Sequence, residues 1–459
     1  MTDGRGLAPW RRRTRLLALL GVLSLAGLLL AACGSSSSSS STSTSTESES
    51  APPSETSESS TTPAGEPSAE DNREEVTDYL GYVDGKEGSA DPSKSPVKIG
   101  FVNQQGGAMS YDEATLGAEA AVKYLNENLG GISGHPAELA TCFIAAAEEE
   151  GQTCGQQLVN DPDVSVVVFG TLAVGGQAFE AVNDGTKPLL LGNGLGPTDT
   201  KSKNTFVYNG AASTLLGGMV TYVSEVLKAK NVAVVYPQDP LGASGAKALE
   251  AQLKIAGVEF KSVGFADSST DLIAPMTAAG AQSAEAILSL TSTPPLCIAA
   301  AKALESLGSS VPVVTAGSFC FSEEVAKGLG GEAPHWVQGS SQALLTDGSI
   351  PDVKAWREAS GSVGLSAEDQ SDSNSALAWA ITMTAARFLN EAGGASATPA
   401  QVSKKAEAFE GPMMLGPPKI ECGAVPGQPG LCAQQTQMAQ YEGDETYKSV
   451  SGWLYPPEP

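Results

Sequence analysis

Val97-Lys98-Ile99-Gly100-Phe101-Val102-Asn103 is the stretch that decides the fold. Its β-branched and aromatic residues run almost unbroken, as in a strand buried on both faces. Leu116 to Leu129 follows with apolar residues at helical spacing, Val122 and Leu125 sharing one face. Gly130-Gly131 then supplies the residue type that ends a helix. Buried strand followed by amphipathic helix is the unit of a parallel sheet, because parallel neighbours need a crossover between them.

Toward the C-terminus the unit repeats. Ala137 to Phe143 predicts a strand, Glu148 to Asn160 a helix and Val164-Ser165-Val166-Val167-Val168-Phe169 a strongly β-branched strand. Gln177 to Asp184 predicts a helix and Pro188 to Leu191 a strand. Thr205 to Asn209 is a candidate crossover strand, after which the pattern restarts. Helices are predicted at Thr214–Lys228, Gly242–Ile255, Asp271–Ala279 and Pro295–Leu307, with strands at Asn231–Tyr236, Val258–Gly264, Ala284–Leu290 and Val311–Thr315. Two such series predict an α/β protein of two doubly wound parallel-sheet lobes. Beyond Trp336 helices are predicted at Asp352–Ser360, Ser373–Leu389 and Pro399–Phe409. Gln437 to Tyr441 is a strand able to join one of the sheets.

Toward the N-terminus the chain changes character. Arg11, Arg12, Arg13 and Arg15 precede the apolar run Leu16–Leu30, which leads into Ala31-Ala32-Cys33-Gly34. Charge, short apolar run and small residues make a secretory signal, residues 1–32. The run is short for a transmembrane helix, which needs roughly 20 residues. Gly34 to Pro67 is Ser, Thr, Glu and Pro with almost no apolar residues. Residues 33–95 therefore read as a flexible tether, with Val76 to Val83 a possible short helix or strand within it.

The chain has seven cysteines, and setting Cys33 aside leaves the near-neighbour pairs Cys142–Cys154, Cys297–Cys320 and Cys422–Cys432. An even number in an exported chain predicts disulfides. A metal site is not expected: there is no Cys-x-x-Cys, and the two histidines, His135 and His335, sit apart in loops. The net charge of −25 argues against nucleic acid and against adsorption to anionic lipid by charge. The sequence has no nucleophile elbow, no phosphate-binding loop and no clustered metal ligands, so an enzyme is not expected and no cofactor is assigned. Glu323-Glu324 is a helix start, where negative charge is favoured.

Two resemblances follow. Leu30-Ala31-Ala32-Cys33 resembles the bacterial lipobox, which implies acylation of Cys33 and anchoring on the extracytoplasmic face of the cell membrane. Several acyl chains on one residue would meet the need for more than one hydrophobic signal. From Val97 onward the chain resembles the branched-chain amino-acid-binding receptors of ABC transporters, with the type I periplasmic-binding fold. The carrying residues are the first strand, Ala114 to Asn126 and the turn Gly130-Gly131-Ile132-Ser133-Gly134, then Val234-Val235-Tyr236 with Gly242 to Ala256, and Thr270 to Met276 with Ala284 to Leu288. The resemblance implies two lobes joined by three crossovers, a small-molecule solute in the cleft and ABC permease subunits as partners. A solute-binding domain of residues 97–459 then divides into lobe one, about 97–209 plus 340–412, and lobe two, about 210–339 plus part of 413–459. A ligand-sensing lipoprotein of the same fold remains the alternative to transport.

In open α/β sheets the ligand lies at the carboxyl ends of strands. That selects Gln104, Gln105, Thr171, Leu172, Ala173, Val174, Gly175, Asn193, Gly194 and Leu195 in lobe one. In lobe two it selects Asp239, Leu241, Thr291, Ser292, Thr293 and the Ser318–Phe321 loop with Ser318 and Phe319. Backbone donors at the helix following Gly175 would suit an anion. The family's amino-acid binders use Ser/Thr hydroxyls after the third strand and an acid in lobe two. Here Thr171 is the only hydroxyl of Gly170–Gly176, Ala316–Phe321 holds no acid, and Asp239 is the candidate for an ammonium. An amino acid, a neutral amide and an aromatic acid all remain open as ligands. If Cys33 is the anchor, Cys33→Ser leaves the precursor uncleaved or releases the protein from the membrane fraction; a variant that is processed and fractionates like wild type contradicts it.

Overall fold

The computed structural model describes residues 75–458. The signal segment, Cys33 and the tether as far as residue 74 lie outside the described residues. In chain order the first elements are α1 (Tyr79–Tyr82), β1 (Val97–Gln104), α2 (Asp112–Asn128), β2 (Ala137–Ile144), α3 (Glu148–Val159), β3 (Val164–Phe169), α4 (Gly176–Asn183), β4 (Leu189–Gly194) and β5 (Thr205–Ala211). The five strands pair in parallel in the order β2-β1-β3-β4-β5. β5 is the expected crossover strand, and it is also a full member of this sheet.

The second series builds lobe two: α5 (Ala212–Thr221), β6 (Asn231–Pro237), α6 (Pro240–Ile255), β7 (Glu259–Phe265), α7 (Ile273–Ala279), β8 (Ala286–Ser289), α8 (Pro294–Ser306), β9 (Val313–Thr315), α9 (Glu323–Leu329) and β10 (Val337–Ser340). The chain then returns to lobe one with α10 (Pro351–Ser362), α11 (Ala367–Ser371), α12 (Ser373–Glu391) and α13 (Pro399–Glu407). It ends in lobe two with β11 (Gln437–Gly443) and β12 (Thr446–Ser449). The second sheet runs β12-β11-β10-β9-β8-β6-β7, and its five parallel strands repeat the order of lobe one. β11 adds antiparallel to β10, and β12 antiparallel to β11.

Lobe one is held chiefly by α12, almost wholly buried between the sheet and its neighbouring helices. Trp356 and Trp379 meet edge to face at 5.1 Å in its core. α2 lies against α12 so closely that a Cβ on Gly117 would stand 2.1 Å from the Ser375 carbonyl oxygen. Glycine is required there for the approach, not for its dihedral freedom.

Two expectations are corrected, and one strand was not predicted. The tether does not run to residue 95: Val76, Tyr79, Tyr82 and Val83 are buried in the lobe-one core. Their neighbours are polar, so composition hides the one apolar face they form. Tyr82 closes the contact with its hydroxyl 2.8 Å from Thr384 Oγ1 and its ring edge-on to Phe409. Lobe one also does not end at residue 412, since Met413, Met414, Leu415, Ile420, Cys432 and Ala433 join the same core. Finally, β10 had no sequence signal, because half-exposed Gln338, Gly339 and Ser340 lack an apolar run.

The three disulfides are Cys142–Cys154 between β2 and α3, Cys297–Cys320 between α8 and the turn after β9, and Cys422–Cys432 within the segment returning along lobe one. Each closes a short loop inside one lobe, so each contributes about 3 kcal/mol by chain entropy. Tyr82→Ala is expected to cost about 3–5 kcal/mol in urea unfolding, as for other large-to-small changes in a core. A cost below about 0.5 kcal/mol, as for a surface position, would return this segment to the tether.

Candidate functional site

The chain passes between the lobes three times: after β5, after β10, and between Ala433 and Gln437. The first two passages leave the carboxyl ends of parallel strands. The third enters β11 where Gln437 pairs with Ser340, the last residue of β10. The carboxyl edges of both sheets therefore meet at the crossovers. Asn209 Nδ2 donates to the Ser341 carbonyl at 3.1 Å, and Ser341 Oγ donates to Asn193 Oδ1 at 3.0 Å. Thr214 Oγ1 donates to the Ala433 carbonyl and Thr436 Oγ1 to the Ser340 carbonyl.

On the lobe-one edge, the polar residues brace loops. Asn103, fully buried, donates Nδ2 to the Tyr111 carbonyl at 2.7 Å and to Thr115 Oγ1 at 3.0 Å, and accepts from the Thr171 amide at 3.0 Å. Gln104 is buried and its Oε1 accepts from the Ala173 amide; Gln105 Oε1 accepts from Thr115 Oγ1. Thr171 Oγ1 donates to Asn374 Oδ1 at 2.8 Å, and Asn374 Nδ2 donates to Glu113 Oε1 at 3.0 Å. Leu172 and Val174 are half-buried against the outer core of the lobe, Ala173 is exposed, and Gly175 and Gly194 are buried.

The expectation of free donors at the α4 N-terminus is corrected. Glu148 on α3 accepts from the Gly175 amide at 2.7 Å and the Ala178 amide at 2.8 Å, so these donors already hold an anion from the chain itself. Sequence separation hid this, since Glu148 lies in the preceding helix. Asn374, Glu113 and Asp372 were missed for the same reason: strand ends alone were used to choose positions. Asp372 caps α12 by accepting from the Asn374 and Ser375 amides. Burial pushes the carboxyls of both Glu113 and Asp372 up, and the charge of Asp372 pushes Glu113 further. Asp372-Ser373-Asn374 ahead of a long apolar run was the available signal for that helix start.

On the lobe-two edge, Asp239 Oδ1 accepts from the Gly242 amide at 2.8 Å and caps α6. Thr291 is corrected outright as a ligand contact. It is 2% exposed, and its Oγ1 lies 3.0 Å from Ser289 Oγ and beside the Cys297–Cys320 disulfide. Residues two apart along an extended chain share a face, and Ser289 already faces inward. Ser292 is half-buried and Thr293 exposed at the start of α8, where Pro294-Pro295 leave no N–H to offer. Ser318 and Phe319 are exposed on a 3₁₀ turn that the disulfide fixes to α8.

The apolar residues at these edges behave differently from the polar ones. Met109, Leu195, Leu241 and Phe319 are 53%, 61%, 77% and 55% exposed. Met109, Leu195 and Phe319 sit in the loops after β1, β4 and β9, and Leu241 in the first turn of α6, after β6. They stand at corresponding places in the two lobes. Both histidines are tied elsewhere, His135 to the Ser95 carbonyl and His335 to the Tyr441 carbonyl.

The family model "Periplasmic binding protein" matches residues 96–443. No curated relative matches the sequence. Among solved structures, a leucine-binding protein from Thermotoga maritima is 14% identical, with 78% of this chain and 99% of that one covered and a TM-score of 0.59. An isoleucine-bound branched-chain amino acid transporter substrate-binding protein from Streptococcus pneumoniae is 18% identical, with 79% and 100% covered and a TM-score of 0.58. An ABC-transporter solute-binding protein from Rhodopseudomonas palustris, in complex with p-hydroxybenzoic acid, is 14% identical, with 79% and 98% covered and a TM-score of 0.61. At these identities the likeness is one of fold. The family model runs from Pro96, just ahead of β1, to Gly443 at the end of β11, and so takes in both lobes and all three crossovers: the chain belongs to the periplasmic binding protein family.

Proposed function

We propose that this protein is an extracytoplasmic receptor that captures one small molecule between its lobes and presents it to an ABC transporter. The observation that supports this reading is the set of exposed apolar side chains on the carboxyl edges of both sheets, beside the three crossovers. A ligand favours the closed state only by contacts made with both lobes. Fully burying a large apolar side chain is worth about 1.5–3 kcal/mol. A few such contacts, with oriented polar groups, reach the roughly 8 kcal/mol of a micromolar complex. The Leu30–Cys33 sequence adds a lipid anchor at Cys33, with the tether holding the receptor off the membrane.

The first ligand class is an amino acid with an apolar side chain. Its ammonium would need a charged partner once desolvated, and Asp239 has one oxygen committed to the α6 cap with the other left for it. The commitment of Asp239 to that cap also favours a second reading, a ligand without an ammonium such as an aromatic acid or neutral amide. Sensing through a membrane partner uses the same closure.

Titration calorimetry of the full-length chain with leucine, isoleucine, valine, short amides and benzoate-type acids separates these. One ligand per chain and no turnover is expected. Asp239→Asn keeps a competent cap and removes only the charge. It should weaken amino-acid binding about tenfold or more, one 1.4 kcal/mol step, and leave an aromatic acid or amide unaffected. Leu241→Ala should weaken any true ligand about tenfold, while its stability stays within about 0.5 kcal/mol of wild type because the side chain is exposed. Binding by no compound of these classes contradicts the ligand reading, and turnover contradicts a receptor.

A further inference from the structure

Helix α5, which carries the chain from the first crossover into lobe two, holds Gly217-Gly218 in its interior. Glycine weakens a helix interior, so two in succession ask for a reason. Neither has a positive φ. What each admits is a close neighbour. A Cβ on Gly217 would stand 2.5 Å from Pro456 Cβ, and one on Gly218 would overlap Thr436 Cγ2. Pro456 belongs to the C-terminal tail that follows β12, and Thr436 to the third crossover. The two glycines therefore seat both segments against one helix.

Thr436 is fully buried and tied on several sides. Its Oγ1 donates to the Ser340 carbonyl at 2.8 Å, which holds it to the second crossover. Its amide donates to the Leu454 carbonyl at 3.0 Å, and the Leu454 amide donates back to the Thr436 carbonyl at 2.7 Å. Two bonds exchanged by one residue pair make an antiparallel bridge. Beyond the bridge the tail follows α5, where Thr221 Oγ1 donates to the Tyr455 carbonyl at 2.7 Å. Ahead of it, the Val450 amide donates to the Met438 carbonyl at 2.9 Å and the Met438 amide to Ser451 Oγ at 2.8 Å. These bonds all run to lobe two or to the crossover. A cavity of about 320 Å³ is lined by Tyr455, Pro456 and Pro457 from the tail and by Val425, Pro426 and Leu431 from lobe one.

The lobe-one end of the same crossover is pinned as well. The Cys432 and Ala433 amides donate to the Val207 carbonyl of β5 at 3.1 and 3.2 Å. Gln434 and Gln435 are left between the two pinned ends. We infer that the C-terminal tail is a strap on the hinge. By fixing Thr436 to α5 it stiffens the lobe-two end of the third crossover, so the turn of the lobes there falls on Gln434 and Gln435. The inference rests on the lobe closure proposed above and adds what limits it. A hinge is a few residues that absorb the dihedral change. Confining them to two narrows the range of openings that the ligand-free chain samples.

Amide exchange and small-angle scattering of the ligand-free full-length chain test this. In wild type the Thr436 and Leu454 amides should exchange at least about tenfold more slowly than those of Gln434 and Gln435, one 1.4 kcal/mol step of local opening. A chain ending at Gly452 lacks the strap, and its radius of gyration should rise above that of wild type. Gly217→Ala keeps the whole tail but sets a Cβ against Pro456. It should speed exchange of the Thr436 and Leu454 amides at least about tenfold, again one such step, and shift the scattering profile in the same direction as the truncation. Faster exchange with a profile that superimposes on wild type overturns the strap, since the tail would then brace only its own neighbours. That outcome leaves lobe closure standing; closure itself fails only if a saturating compound leaves the wild-type radius of gyration unchanged. Gln434 and Gln435 exchanging as slowly as Thr436 also overturns the inference, because the turn would lie elsewhere. If neither variant folds, this wild-type exchange pattern decides.

Discussion

Parallel strands cannot be joined by tight turns, and the rest of this structure follows from that constraint. Each strand must hand over to a helix at its carboxyl end and be re-entered at its amino end. Every loop that leaves a strand therefore collects on one edge of its sheet. In both lobes the sheet order reverses direction between the first and third strands of the series, β1 and β3 in lobe one, β6 and β8 in lobe two. The crossovers leave from the same edges. One topological rule, applied twice, places two loop-lined edges at a shared hinge without any residue being selected for that placement.

The constraint also explains how the side chains at the edges divide. Loops at a carboxyl edge have unpaired amides and must be braced, and the buried polar residues do this: Asn103 ties the β1 and β3 loops, Glu148 holds the start of α4, and Asp239 starts α6. Polar groups used in this way are not spare for a ligand. At the same edges Leu195, Leu241 and Phe319 point into water, beside the exposed Thr293 and Ser318. The sites best suited to recognise a solute are thus few polar atoms on fixed loops, set among apolar walls, which is how small-molecule sites are built.

Most strands and helices were legible because their apolar periodicity is strong; Val164–Phe169 and Ser373–Leu389 could be read from composition and spacing. The failures share a cause. α1 is four residues long among polar ones, and β10 is short and half-exposed, so neither has a run long enough to show a period. The site was legible as a set of loops and not as a set of atoms. Sequence cannot say that Thr171 spends its hydroxyl on Asn374, two hundred residues away, or that Thr291 turns inward beside a disulfide. Long-range hydrogen bonds carry no local signature, whereas exposure of Leu195, Leu241 and Phe319 follows from their place after a strand.

The claim at the centre of this account is that the two lobes close about the three crossovers around a solute held by both. Small-angle scattering of the full-length chain, with and without a saturating compound found by its effect on the melting temperature, measures this directly. A radius of gyration that falls on saturation, at one ligand per chain, is the predicted result. Stoichiometric binding with an unchanged radius of gyration and an unchanged scattering profile would contradict it.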